Sequence, residues 1–366
     1  MMNSPNRLQS LDALRGFDML FIMGGEWVVC TVAALLGDPD FNAKFNHVPW
    51  HGLQFMDTVF PLFLFLAGAS FPFSAAKSLE KGSTCGQIAL KALRRGLTLF
   101  ALGLVYNGFL ELDFAHFRVW SVLGRIGLAW MFAAWLYLAF GARVRLVLAA
   151  ALLAAVTVFT ICVPAPGSVA GVDPFSAAGN FGCWLDRTLT VGHICCADYD
   201  PEGFAGLLPA VVTALLGMFA GDIVRAGGSA ATGRKALRLL VCGGACAVLG
   251  FALSPVFPIN KALWSPSFTL VVGGWSFAVF ALFYWIIDVK GWSRWSFFFT
   301  VIGMNSITIY LGQQIINFTA IDHFFLKGLA GCLPALWGRL LLEVGYIAIC
   351  WLFLHFLYRH KVFLKV

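Results

Sequence analysis

Asp57-Thr58-Val59-Phe60-Pro61-Leu62-Phe63-Leu64-Phe65-Leu66-Ala67-Gly68-Ala69-Ser70-Phe71-Pro72-Phe73-Ser74-Ala75-Ala76-Lys77 carries charge only at its two ends. About twenty apolar residues at ~1.5 Å each match the ~30 Å hydrocarbon core of a bilayer. Runs of this kind recur, and ten spans are read at about 14–36, 57–77, 87–110, 118–139, 144–163, 206–225, 236–253, 267–288, 295–313 and 335–358. The composition of the 366-residue chain agrees: 60% of residues are hydrophobic and 12% charged. A soluble domain carries about 25% charged residues, so this chain has about half the charge a globular surface needs. The expected fold is an all-α polytopic membrane protein with about ten transmembrane helices, forming one domain over 1–366. Its first partner is the lipid bilayer. The same composition excludes a soluble enzyme, a disordered chain, a secreted disulfide scaffold and a nucleic-acid binder.

The charges between spans give an orientation. Arg7 and Arg15, the 77–95 group (Lys77, Lys81, Lys91, Arg94, Arg95), Arg143 with Arg145, Arg225, Arg234, Lys235, Arg238, Lys290, Arg294, Arg359, Lys361 and Lys365 fall on one face, 18 of the 25 basic residues. The positive-inside rule puts this face, and with it both termini, in the cytoplasm. An even number of spans is then required, and ten fits. Residues 1–13 are short and polar with no cleavage pattern after them, so no signal peptide is read. The other face holds the long outer loops, about 37–56, 164–205 and 314–334, with an acidic excess. The net charge of +7 is therefore read as a cytoplasmic collar rather than a polyanion-binding patch. Cys183, Cys195 and Cys196 share the second outer loop; a bridge from Cys183 to one of the others and three free thiols are both open readings.

Ionisable groups inside spans are costly in lipid and are functional candidates by default. Asp18, Glu26, Arg125 and Glu343 qualify, with Asp57 at the mouth of the second span. Glu26 lies eleven residues past Arg15, ~16 Å from the cytoplasmic edge. Arg125 is seven residues past Arg118, ~10 Å below the outer edge, and Asn305 is ~15 Å deep. These three share a level, which suggests a Glu26–Arg125 pair; the alternative is an ion pair that only fixes helix packing. Arg339 and Glu343, spaced i,i+4, read as a local ion pair.

The outer loop before the second span runs Phe45-Asn46-His47-Val48-Pro49-Trp50-His51-Gly52-Leu53-Gln54-Phe55-Met56-Asp57. A histidine can take and return a proton near neutral pH, and Asp57 could orient it. Pro49 spoils a helical His47/His51 face and no zinc-type motif completes it, so no metal is expected.

Arg7 to Asp18, the His47–Trp50 block and Asp57 to Gly68 together resemble the transmembrane domain of the heparan-α-glucosaminide N-acetyltransferase family, nearest to its bacterial relatives. Arg118-Val119-Trp120-Ser121-Val122-Leu123-Gly124-Arg125-Ile126-Gly127 and Gly303-Met304-Asn305-Ser306-Ile307, with Tyr310 and Gly312, extend the resemblance over nearly the whole chain. It implies an enzyme of the bacterial inner membrane that takes acetyl from acetyl-CoA at the cytoplasmic face. The acceptor would be the amine of a glucosamine or glycan on the periplasmic side. The family's active-site histidine matches His47. The family carries Asn where this chain has Glu26 and again where it has His51. Its members form homodimers.

Combining residues and resemblance gives a set of expected roles. His47, Asp57, Glu26 and Asn305 are the catalytic candidates. Arg15, Arg94 and Arg95 would hold the donor's phosphates, since arginine grips phosphate oxygens bidentately. Arg125 and Ser306 would line the donor path, and Glu26, Trp50 and His51 would meet the acceptor. His47 acts as general base or is itself acetylated first; both routes stand. The competing class is an amino-sugar permease. Transporters of that kind show repeated halves with matching helix breaks, and none is visible here.

Overall fold

The computed structural model describes residues 8–113, 116–169, 171–190, 192–228 and 231–364. Arg7 and Lys365, counted above in the basic collar, lie outside them. In chain order the helices are α1 (Gln9–Leu20), α2 (Glu26–Leu35), α3 (Phe41–Phe45), α4 (Phe55–Glu80), α5 (Cys85–Tyr106), α6 (Val122–Ala139), α7 (Ala142–Cys162), α8 (Phe181–Leu189), α9 (Leu207–Arg225), α10 (Gly233–Leu253), α11 (Pro266–Phe283), α12 (Phe297–Met304), α13 (Ser306–Ile315), α14 (Phe318–Gly331) and α15 (Ala335–Arg359). Among the described residues, β-structure is limited to two isolated bridges. The chain is an all-α polytopic membrane protein.

Eight helical stretches among the described residues are long and apolar enough to cross a bilayer: Gln9–Leu35, Phe55–Glu80, Val122–Ala139, Ala142–Cys162, Leu207–Arg225, Gly233–Leu253, Pro266–Val289 and Ala335–Arg359. Two segments read as spans fall outside these eight. The 87–110 region is α5, 22 residues long but carrying Lys91, Arg94 and Arg95. The 295–313 region is broken at Asn305 into α12 and α13. The 314–334 stretch, read as a loop, is corrected by α14, a 14-residue helix lying along α15. Asn317 caps it, accepting from Ala320 N–H at 2.9 Å, and Gly338 lets the backbone of α15 approach Ala330.

The first long stretch is not one regular helix. Phe21–Gly25 forms a π-helical turn, and Gly24 within it has φ +107°, a value that a side-chain-bearing residue rarely adopts. The chain therefore re-enters a helix at Glu26 with a new face forward. Leu8 offers α1 no capping side chain. Asp288, in the π-helical segment Tyr284–Val289, supplies the acceptor instead, at 3.3 Å from both Gln9 and Ser10 N–H, placing a carboxylate at the positive helix end.

Two compact units emerge. The first comprises the described residues of 1–48, 54–59 and 282–365. Its core is Met19, Met23, Val301, Ile302, Ile309, Phe318, Tyr346, Cys350 and Leu354. Here α1 and α12 cross at glycines: a Cβ on Gly16 would run into the carbonyl of Phe299, and one on Gly303 into that of Asp12. Small residues let helices pack by close approach where lipid gives no hydrophobic drive.

The second unit holds residues 49–53 and 60–281. Helices α4, α9 and α11 are mostly buried at its centre, whereas α7 and α10 show apolar side chains such as Leu146, Val147, Leu240 and Val241 outward, as lipid-facing helices do. Gly96 and Gly127 meet at the α5–α6 crossing, where an added Cβ would stand 2.9 and 2.6 Å from the facing carbonyl. The Thr84/Gln87 capping box starts α5, with both hydrogen bonds formed at 3.0 and 3.2 Å.

Candidate active site

Gln54 precedes the first residue of α4, and Asp57 is the third residue of that helix. From there its buried carboxylate reaches back and accepts the Gln54 N–H at 3.0 Å, half of a capping box. Its other oxygen, Oδ1, lies 2.8 Å from His47 Nδ1, and Val48 N–H approaches Oδ2 at 3.4 Å. The His47 side chain is 50% exposed while that of Asp57 is 1% exposed. The imidazole is thus held by a buried anchor and presents itself outward. Beneath it the loop is fixed by rings: Phe45 stacks on Phe55 at 4.8 Å, and Phe21 meets Phe55 edge-on at 4.7 Å. Gln54 Nε2 donates to Ala43 C=O at 2.8 Å.

The other first-unit candidates have different environments. Glu26 opens α2, shares a hydrogen bond with Trp27 and lies within electrostatic range of His47. Asn305 interrupts the helix between α12 and α13 with φ −124° and ψ 26°. It is buried, and neither its amide nitrogen nor its amide oxygen has a partner among the described residues. Ser306, also buried, begins α13 beside it. Arg15 pairs with Asp12 at 3.3 Å.

The remaining candidates belong to the second unit. Arg94 lines an open cleft of about 330 Å³ with Ser83, Gln87, Leu90 and Lys91, whereas Arg95 turns onto the Trp130 ring at 4.7 Å. Trp50 donates its indole N–H to Phe175 C=O at 2.9 Å, and His51 Nδ1 lies 3.3 Å from Asn260 Nδ2. The chain therefore passes from one unit to the other between Val48 and Pro49, separating His51 from His47. Among the described residues no three His, Cys, Asp or Glu side chains converge as a metal site.

Arg125, which depth alone grouped with Glu26, takes its described contacts from its own unit. Its Nη2 donates to Gly203 C=O at 2.6 Å and its guanidinium lies 5.2 Å from the Trp264 ring centre. Its Nε and Nη1 are buried without partners among the described residues. Around it stands an acidic set that no sequence spacing announced. Asp200 accepts from Arg118 Nε at 2.9 Å, Glu202 also binds Arg118, and Asp186 accepts from Phe204 N–H at 2.6 Å. These bonds pin the 193–206 loop to Arg118, ahead of α6, and to α8. Cys183 is buried with Phe257 and Leu263, its thiol pushed up to about 12 by burial, and all ten cysteines are free.

Burial pushes the Asp186 carboxyl up to about 7 from its ordinary 3.8, against the pull of Phe204 N–H and the Arg125 charge. The folded chain therefore keeps a proton that the unfolded chain has already lost. That contribution is full below pH ~4 and is lost as pH rises through ~7. Asp186→Asn keeps an acceptor for Phe204 without the charge. Its thermal midpoint should gain on wild type as pH rises from ~4 to ~7 and then hold a constant lead. A difference that stays flat over that range would remove Asp186 from the account.

The chain is 26% identical to the human protein named heparan-alpha-glucosaminide N-acetyltransferase, over 99% of this chain and 60% of that protein. It is also 26% identical to the mouse protein of that name, over 86% of this chain and 54% of its length. This chain thus spans a little over half the length of the curated relatives it matches. The family description "Heparan-alpha-glucosaminide N-acetyltransferase, catalytic" matches residues 7–254, which include the His47–Asp57 contact, Glu26 and Arg125. With two thirds of the chain matched, this protein belongs to the heparan-α-glucosaminide N-acetyltransferase catalytic family.

Proposed function

We propose that the chain is a membrane-embedded acetyltransferase. It would move acetyl from acetyl-CoA, entering from the cytoplasmic face of a bacterial inner membrane, to the amine of a glucosamine-type acceptor on the periplasmic side. The observation that carries this reading is the 2.8 Å contact between exposed His47 and buried Asp57.

An Nδ1–H donated to Asp57 fixes the tautomer that leaves the lone pair on Nε2, and the carboxylate favours the imidazolium that forms when this nitrogen takes a proton. The acceptor amine attacks the thioester carbonyl as His47 removes its proton. The tetrahedral intermediate then breaks its C–S bond, and His47 returns the proton to the departing CoA sulfur. The products are an N-acetyl sugar and free CoA thiol. This route needs one tetrahedral intermediate, fewer than prior acetylation of His47.

Developing charge on the thioester oxygen needs a donor. The buried, unpartnered amide of Asn305 supports that role, with Ser306 beside it on the donor path. Arg125, whose Nε and Nη1 have no partner among the described residues, is a proposed donor contact in the second unit, and Arg15, Arg94 and Arg95 are the proposed phosphate contacts. Trp50 and His51 are assigned to the acceptor, with Glu26. A homodimer is part of the proposal.

The test is transfer of labelled acetyl from acetyl-CoA to glucosamine by the purified protein. Labelled N-acetylglucosamine is the expected product. Absence of both transfer and acetyl-CoA binding would overturn the reading and favour a permease.

A further inference from the structure

Helix α2 presents Glu26, Trp27, Cys30 and Thr31 on one face, and α15 presents Arg339, Glu343 and Tyr346, spaced i, i+4, i+7, on the face that meets it. The side chains engage across this crossing. Thr31 donates its hydroxyl to Glu343 Oε1 at 3.0 Å, Arg339 Nε donates to the same oxygen at 2.7 Å, and the Trp27 and Tyr346 ring centres lie 5.7 Å apart. Cys30 lies within electrostatic range of Glu26, Arg339 and Glu343.

An ion pair that engaged both carboxylate oxygens would leave no acceptor for a further donor. Here Glu343 is only 8% exposed, yet Oε2 is buried with no partner among the described residues. Leaving a buried charged acceptor unsatisfied is unfavourable, and it marks a position where an outside donor is missing. Arg339 occupies Oε1, Glu26 adds a second carboxylate on the same face of α2, and a cationic donor would fill Oε2.

We propose that this α2–α15 face is a recognition subsite for the ammonium of an amino sugar, with Glu343 as its anionic contact and Trp27 as its platform. The inference rests on the acetyl-transfer reading only for the choice of sugar. The Trp27 ring borders the same place, tilted against Tyr346. Tyr346, which accepts from Gln313 Nε2 at 2.9 Å, brings hydroxyl chemistry to the same place. Among the described residues no three His, Cys, Asp or Glu side chains gather here as a metal centre. The subsite also connects to the proposed base, because Glu26 at its edge lies within range of His47. Acetylation turns the charged amine into a neutral amide. The product therefore loses the contact that held the substrate, which separates substrate capture from product release.

The experiment is equilibrium binding to the purified full chain in lipid nanodiscs, without acetyl-CoA, using glucosamine, N-acetylglucosamine and glucose as probes. Wild type should bind glucosamine at least ~10-fold tighter than either neutral sugar, as a desolvated charge contact implies. Glu343→Gln should abolish that preference. Trp27→Ala should weaken binding of glucosamine ~10-fold. No preference in wild type, or a preference that survives Glu343→Gln, would overturn the proposal. Should Glu343→Gln not fold, unchanged glucosamine binding by Trp27→Ala overturns it as well. Acetyl-CoA binding and His47-dependent transfer report separately on the proposed reaction, so the two can fail independently.

Discussion

His47→Ala is expected to lower acetyl transfer by ~10³-fold while acetyl-CoA binding and the thermal midpoint stay near wild type. General acid–base catalysis contributes about 10²- to 10⁴-fold, and a half-exposed side chain contributes little to packing. Asp57→Ala should behave differently. Its carboxylate is buried and bonded to His47 and to the Gln54 N–H, so its loss also leaves a helix start uncapped and should cost about 2–4 kcal/mol of stability. The measurement is single-turnover transfer beside a thermal melt for each variant. A His47→Ala protein that stays folded, binds acetyl-CoA and transfers at the wild-type rate would remove His47 from the chemistry. The family reading would then rest on sequence match alone.

The largest structural effect should come from Gly16 or Gly303. Each glycine lies against the other helix's backbone, and a backbone carbonyl cannot rotate away as a side chain can. Gly303→Val is therefore expected to force α1 and α12 apart and to cost at least ~3 kcal/mol, the upper part of the range for overpacking. The visible result would be little recoverable folded protein. Gly312→Ala and Gly328→Ala are the matched controls, since nothing lies within 4 Å of an added Cβ at either place. Equal yields and melting points for Gly303→Val and these controls would contradict the close crossing.

Apolar length was the most legible feature, because a bilayer imposes it on each span separately. Where it blurred, a local cause can be named. Three basic residues lie within α5, and Asn305 interrupts what reads as a continuous run. The 314–334 stretch contains Asp322 and Lys327 and ends at a proline, which reads as a loop, yet its 318–331 portion is a helix along α15. Asp57 could be placed beside His47 from spacing, since a carboxylate at the third position of a helix reaches back to the chain that enters it. The partners of Arg125 could not. Gly203 lies 78 residues away, and depth along a span does not say which way a side chain faces. For the same reason Thr31 and Glu343, 312 residues apart, gave no joint signal, although the local Arg339–Glu343 spacing did.

The π-helical turn at Phe21–Gly25 sets the angular phase of everything after it. Gly24, with φ +107°, breaks the helix there, so α2 does not continue the phase of α1. Replacing Gly24 by alanine and shortening the turn so that a regular helix can run through would turn Glu26, Trp27, Cys30 and Thr31 together. Four chemical groups would leave the α15 side at once, though none of them had been altered. In this stretch of the chain, which residues face the chemistry is determined by a count of residues upstream.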